Sequence, residues 1–338
     1  MLMLLAALVA LSRAGFADWE HREADIMGTR ITVVLFHADP AIAEQATETV
    51  MQEMHRIDAT MSPYLESSEL ARINKGAHRH AVKVSAELFE LIDRSIGFSE
   101  LTQGAFDITF ASVGFLYDYR HGKRPDQAQL QTAAGLINYE NLVMNAEAHT
   151  VGFTRPGVRI DLGGIAKGYA VDRCIQLLQA QGIRNALVTA GGDSRMIGDR
   201  WGRPWTIGVR DPRRKDGVVA LLPLEDVAVS TSGDYERYFD DEGVRYHHII
   251  DPQSGDSARE LQSVTIIGPD ATTTDALSTS VFVLGRERGL DLVNELQDID
   301  AILVDSKGRL HYSLGLEAAG NMNDYVKTST ETRPAKKP

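Results

Sequence analysis

The chain has 338 residues, 43% of them hydrophobic and 24% charged, with a formal net charge of −12. That balance provides for one large core or two lobes and excludes nucleic acid or an anionic membrane surface as the main partner; an anionic ligand would need local positive groups or a metal. The single cysteine, Cys174, excludes an intramolecular disulfide and a Cys-based metal site.

Residues 1–17 read as a secretory signal peptide. Leu2 to Leu11 is nearly all apolar, and the small residues Gly15 and Ala17 precede Asp18 as at a cleavage site. The run is short for a transmembrane helix, no twin arginine is present and no cysteine follows it. The expectation is an exported, periplasmic mature chain beginning near Asp18, with no transmembrane segment. Trp19 to Ile26 reads as extended, Met27-Gly28-Thr29 as a break, and Arg30 to Phe36 as a strand. Asp39-Pro40 opens a helix with the apolar stripe Ile42, Ala46, Val50, Met54 and Ile57. Asp58 to Asn74 carries the polar loop Met61-Ser62-Pro63-Tyr64 and a helical turn at Ser68 to Ile73. Tyr64 either stacks on a flat ligand or is an ordinary exposed loop tyrosine.

A helix is predicted from Val84-Ser85 to about Thr102, burying Leu88, Leu91, Ile92, Ser95 and Phe98. In Gly104-Ala105-Phe106-Asp107 the aspartate is a cap or a ligand contact. Val113 to Pro125 reads as a loop and Asn141 to Phe153 as a hairpin. Gly157 to Ile160 reads as a short strand feeding Asp161-Leu162-Gly163-Gly164-Ile165-Ala166-Lys167-Gly168-Tyr169, with a helix following and Gly182 placed as its C-terminal cap. Such a strand-to-helix turn aims free N–H groups at one spot, which suits phosphate. Lys167 near that helix start opposes the macrodipole unless an anion lies beside it. The same turn also reads as a plain βα connection with Asp161 as cap. Cys174 falls on the apolar face of the helix, where a thiol is structural.

Asn185 to Thr189 is a predicted strand ending in Ala190-Gly191-Gly192-Asp193. Trp205 to Val209, Val227 to Ser230, Arg245 to Ile250, Val264 to Gly268, Ala301 to Val304 and Leu310 to Ser313 are further strands, with polar turns at Ser230 to Asp234 and Asp251 to Gly255. Thr274-Asp275 is placed as the cap of a helix through Leu284. The polar tail 328–338 reads as disordered. This layout predicts an α+β domain of two lobes over residues 18–327.

Two further groups could carry chemistry. Asp275, Ser278 and Thr279 share a helix face, and such hard oxygens suit Mg²⁺ or Ca²⁺, although Asp275 equally complements a helix dipole. Of His247 and His248, alternation puts one ring on each face, and one could serve as a base.

Taken in order, Met27-Gly28-Thr29, Met61-Ser62-Pro63-Tyr64, Gly104-Ala105-Phe106-Asp107, the central Asp161 to Tyr169 stretch, Ala190-Gly191-Gly192-Asp193, Thr231-Ser232-Gly233, His248-Ile249-Ile250-Asp251-Pro252 and Asp275-Ala276-Leu277-Ser278-Thr279 resemble the motifs of the ApbE family of FAD:protein FMN transferases. The resemblance implies an α+β catalytic domain of the T-fold kind that moves FMN from FAD to a threonine or serine of a client protein and releases AMP. It implies that Met27, Tyr64, Ala105, Phe106, Asp107, Asp161, Lys167 and Ile249 bind FAD. It further implies that Gly164, Asp275 and Thr279 hold Mg²⁺, and that His248 is the base for the acceptor hydroxyl. The chain has no D-x-x-[ST]-G-A-[ST] sequence of the kind the family modifies, so the expected partner is a separate client carrying it, a flavoprotein subunit of a membrane redox complex. The competing readings are hydrolysis of FAD to FMN and AMP, and a non-catalytic flavin carrier.

Overall fold

A computed structural model describes residues 18–318. The signal peptide assigned to 1–17 and the tail assigned to 328–338 lie outside the described residues. The framework is an eight-stranded sheet of β1 (Glu20–Ile26), β2 (Thr29–Phe36), β3 (Asn185–Ala190), β4 (Asp193–Ile197), β5 (Ala228–Gly233), β6 (Leu261–Gly268), β7 (Asp300–Asp305) and β8 (Leu310–Tyr312). Its spatial order is its chain order, and every neighbouring pair is antiparallel.

Strand alternation sets the layers. Ile31, Val33 and Leu35 of β2 and Ala186 and Val188 of β3 face helices α1 (Pro40–Met61), α3 (Ala166–Ala180) and α4 (Ala271–Leu284), in one core that also holds α2 (Ala86–Leu101). On the other face Met196, Val229, Ile267 and Ile302 pack under a hairpin of Trp205–Arg210 and Val218–Leu224. Covered on both faces, β6 is buried at every residue. Mixed helices and antiparallel strands make the fold α+β, as the sequence predicts.

Several predicted elements differ in detail. Gly157 to Ile160 is not a strand: Asn74 bonds both the N–H and C=O of Ile160, and Ser112 Oγ accepts the Arg159 N–H, so side chains take the place of a ladder. Met61, expected to open the polar loop, is the last residue of α1. Ser230 to Gly233, expected as a turn, is β5; its hydroxyls bond Thr274 and Ser278 on one side and Thr265 on the other. The strand predicted through Ile250 stops at His247. Asp270, not Thr274-Asp275, caps α4 by accepting the Thr273 N–H, which leaves Asp275 free inside the helix.

Helices α3 and α4 cross at a glycine. A β-carbon on Gly168 would lie 2.1 Å from the Ala271 carbonyl oxygen and 2.8 Å from Asp275 Cβ. Asp172, on the next turn, accepts N–H bonds from Ala271 and Thr272 and pairs with Arg195 of β4. The start of α4 is thus held by a side chain of α3. Gly168→Ala should destabilise the protein by about 1–3 kcal/mol or more through overpacking. Gly97→Ala, in α2 with nothing within 4 Å of the added carbon, should stabilise it by about 0.5–1 kcal/mol. Urea unfolding midpoints for the two variants check both signs.

Candidate active site

The β1–β2, β3–β4 and β5–β6 connections lie at one end of the sheet, around a cavity of about 580 Å³, a size usual for small-molecule sites. Met27-Gly28 is the two-residue turn from β1 to β2, with both residues at positive φ, 55° and 68°. Gly191-Gly192 is the turn from β3 to β4. There a β-carbon on Gly191 would strike Thr29 Oγ1 at 2.5 Å, and one on Gly192 would strike the Thr231 carbonyl at 2.5 Å. The long β2–β3 connection supplies Tyr64, Ala105, Phe106, Asp107, Asp161, Gly164 and Lys167. The β5–β6 connection supplies His248 and Ile249, and α4 supplies Asp275 and Thr279. Every one of these residues lines the cavity.

Lys167 does not wait for an external anion. Its ammonium bonds the Asp193 carboxylate and lies 3.7 Å from Asp275 Oδ1. Burial alone would pull its pKa down, but these two carboxylates more than offset that and hold it charged. The anion that offsets the helix dipole beside Lys167 is one the protein supplies, the Asp193 carboxylate. Asp275 also accepts the Gly168 N–H, one of the free donors at the start of α3, at 3.0 Å. Its own pKa is raised by burial and by the Asp193 charge. Two buried carboxylates therefore share one ammonium.

That surplus of negative charge bears on the cation the resemblance implies. Among the described residues no group of three or more His, Cys, Asp or Glu side chains gathers as a metal site. The oxygen set at Asp275 is of another kind. Thr279 Oγ1 lies one helical turn on, and a β-carbon on Gly164 would sit 3.2 Å from that hydroxyl, so the Gly164 backbone abuts it. A carboxylate and a hydroxyl, with the Gly164 backbone against the hydroxyl and uncompensated negative charge beside them, fit a hard divalent cation.

The two histidines separate cleanly. His247 is buried, its Nε2 bonds the Ala258 carbonyl at 2.7 Å, its Nδ1 accepts the Ile249 N–H, and its ring packs on Phe282. It is structural. His248 reaches the cavity, and its buried Nδ1 has no partner. Burial, with Arg237, His247 and Lys167 nearby, pushes its pKa down to about 3, so the ring is neutral.

Other expected positions have mixed duties. Asp107 lines the cavity, but its Oδ1 accepts from Thr109 N and Oγ1 and its Oδ2 from Tyr139 N; of the two readings left open for it, the carboxylate serves as a cap. Asp161 Oδ1 accepts the Gly163 N–H at 2.7 Å, holding the glycine turn. Phe106 is buried against Phe98 and abuts Gly164. Tyr64 is 71% exposed, its ring 6.0 Å from Phe115. Cys174 is fully buried, as expected. Sequence reasoning missed Phe115, Tyr117, Tyr119 and Arg237, all lining the cavity. The aromatic spacing of 115, 117 and 119 was the available signal for three of them; Arg237 had none.

Known proteins resemble this chain over most of its length. The family model described as the ApbE family matches residues 27–303. A protein of Treponema pallidum named FAD:protein FMN transferase is 33% identical over 310 residues, 86% of each chain. One of Klebsiella pneumoniae with the same name is 34% identical, covering 82% of this chain and 87% of its own. Among solved structures, the ApbE protein of Thermotoga maritima superposes with a TM-score of 0.83 at 37% identity, covering 89% of this chain and 99% of its own. A match of this extent to the family, carried by relatives aligned over most of their length, makes the chain a member of the ApbE family.

Proposed function

We propose that the chain is a flavin transferase that moves the FMN half of FAD onto a threonine or serine hydroxyl of a client protein, releasing AMP in a Mg²⁺-dependent reaction. The observation that carries this reading is one cavity lined by His248, a neutral imidazole with an unpartnered Nδ1, and by Asp275 and Lys167, with the buried Asp193 carboxylate behind Lys167 adding surplus negative charge. The names of the Treponema and Klebsiella relatives support it.

In this scheme the acceptor oxygen bonds to the FMN phosphorus while the bond from that phosphorus to the bridging oxygen breaks, and the bridging oxygen leaves with AMP. The acceptor's proton goes to His248 Nδ1. Burial first, and nearby positive charge second, make His248 a weak base; bound phosphates would offset the charge and strengthen it. Tyr64 and Phe115 offer aromatic faces to a flat ring. Asp275, Thr279 and the Gly164 carbonyl would hold Mg²⁺, which would supply neutralisation of phosphate charge. The client would be a redox-complex subunit, and export ahead of Asp18 belongs to the same proposal.

The test is incubation with FAD, Mg²⁺ and candidate acceptor domains, followed by intact mass. One added FMN with AMP release supports transfer. AMP without added mass indicates hydrolysis, and bound FAD without AMP indicates a carrier.

His248→Ala should keep FAD binding and slow transfer by about 10²–10⁴-fold, the usual range for a general base. An unchanged single-turnover rate at neutral pH would remove that role. Asp275→Asn should keep the fold and lower transfer by orders of magnitude, with partial recovery at high Mg²⁺. EDTA should abolish wild-type activity, and full transfer in EDTA would rule the metal out.

A further inference from the structure

Arg237 has no part in the scheme above, yet it lines the cavity. It leads from β5 into the hairpin of Tyr238–Asp241 and Val244–His247, and its carbonyl accepts the His248 N–H at 3.1 Å. The hairpin register therefore seats Arg237 directly across from His248. Its guanidinium lies beside the β1–β2 turn, where a β-carbon on Gly28 would sit 3.4 Å from Arg237 Nη2.

Arginines around it are spoken for. Arg210 pairs with Glu236, Arg213 with Asp234, Arg245 with Asp240 and Asp234, and Arg259 with Asp256. Among the described residues Arg237 makes no ion pair and no side-chain hydrogen bond, and Lys167 is already held by Asp193 and Asp275. In a chain of net charge −12, Arg237 is an exposed guanidinium at the cavity rim, held by no carboxylate among the described residues and open to an anionic ligand. Its charge is felt by Asp161, Tyr64, Lys167 and His248 on the surrounding walls.

We propose that Arg237 binds the pyrophosphate of the dinucleotide substrate, its planar fork bridging phosphate oxygens beside His248. The inference rests on the flavin reading above. An arginine fork matches phosphate oxygens in pairs, whereas a lysine acts as a point charge.

The test is equilibrium titration of FAD and of riboflavin, which lacks phosphate, by flavin fluorescence against wild type, R237A, R237Q and R237K, without turnover. FAD affinity should fall about 10- to 100-fold in R237A, as for loss of a charged hydrogen bond. Riboflavin affinity should be unchanged, and R237K should recover part of the FAD loss. Should R237A be unstable, R237Q read against R237K decides the same question. Undiminished FAD affinity in the alanine or glutamine variant, or equal losses for FAD and riboflavin, overturns the inference while leaving the flavin reading intact. Wild-type protein that binds no FAD overturns both.

Discussion

Everything at the site depends on one partly buried ammonium between two buried carboxylates. Lys167 stands in the first turn of α3, where a positive charge is disfavoured by the helix dipole. Asp193 opens β4 and Asp275 lies within α4, both almost fully buried. Removing one partner of such a pair generally costs about 3–5 kcal/mol, because the other charge is left stranded. The contact thus locks a helix start, a strand start and a second helix to one another. It also leaves the group one positive charge short of neutrality, so the arrangement that holds the fold carries net negative charge at the cavity wall.

The close approach of α3 and α4 is what makes that contact reachable. With a side chain at position 168 the helices would stand further apart. Asp275 could then no longer accept the Gly168 N–H. Asp172 and Arg195 reinforce the same junction from below. Packing and chemistry here share residues, and a small change in helix separation acts on both.

Much of this was legible in the sequence. Hydrophobic periodicity exposed α1, α2 and α3, and Ser85 and Gly182 marked their ends. The ordered motifs pointed to a cavity whose lining residues all came together. What stayed hidden depended on partners distant in the chain. Ser230 to Gly233 looks like a turn because it is polar; it is a strand because Thr274, Ser278 and Thr265 take up its hydroxyls. Gly157 to Ile160 looks like a strand because it is apolar; Asn74 and Ser112 occupy its backbone instead. The pairing of Lys167 with Asp193 and the isolation of Arg237 are properties of tertiary placement, and no local pattern carries either.

The sheet's agreement between spatial and chain order has a consequence for how the chain is made. Strands β1 and β2 emerge first, but the partner of β2 is β3, and residues 37 to 184 intervene. A two-stranded hairpin alone is at best marginally stable in water, and closing so long a loop carries an entropic cost before its contacts form. A chain growing or threading N-terminus first would therefore hold an open β2 edge while all of α1, α2 and α3 appears. The last site residues arrive with α4, later still, so the nascent polypeptide carries an unfinished cavity until nearly its full length is out. Whatever guards that open edge in the cell has to act over this interval.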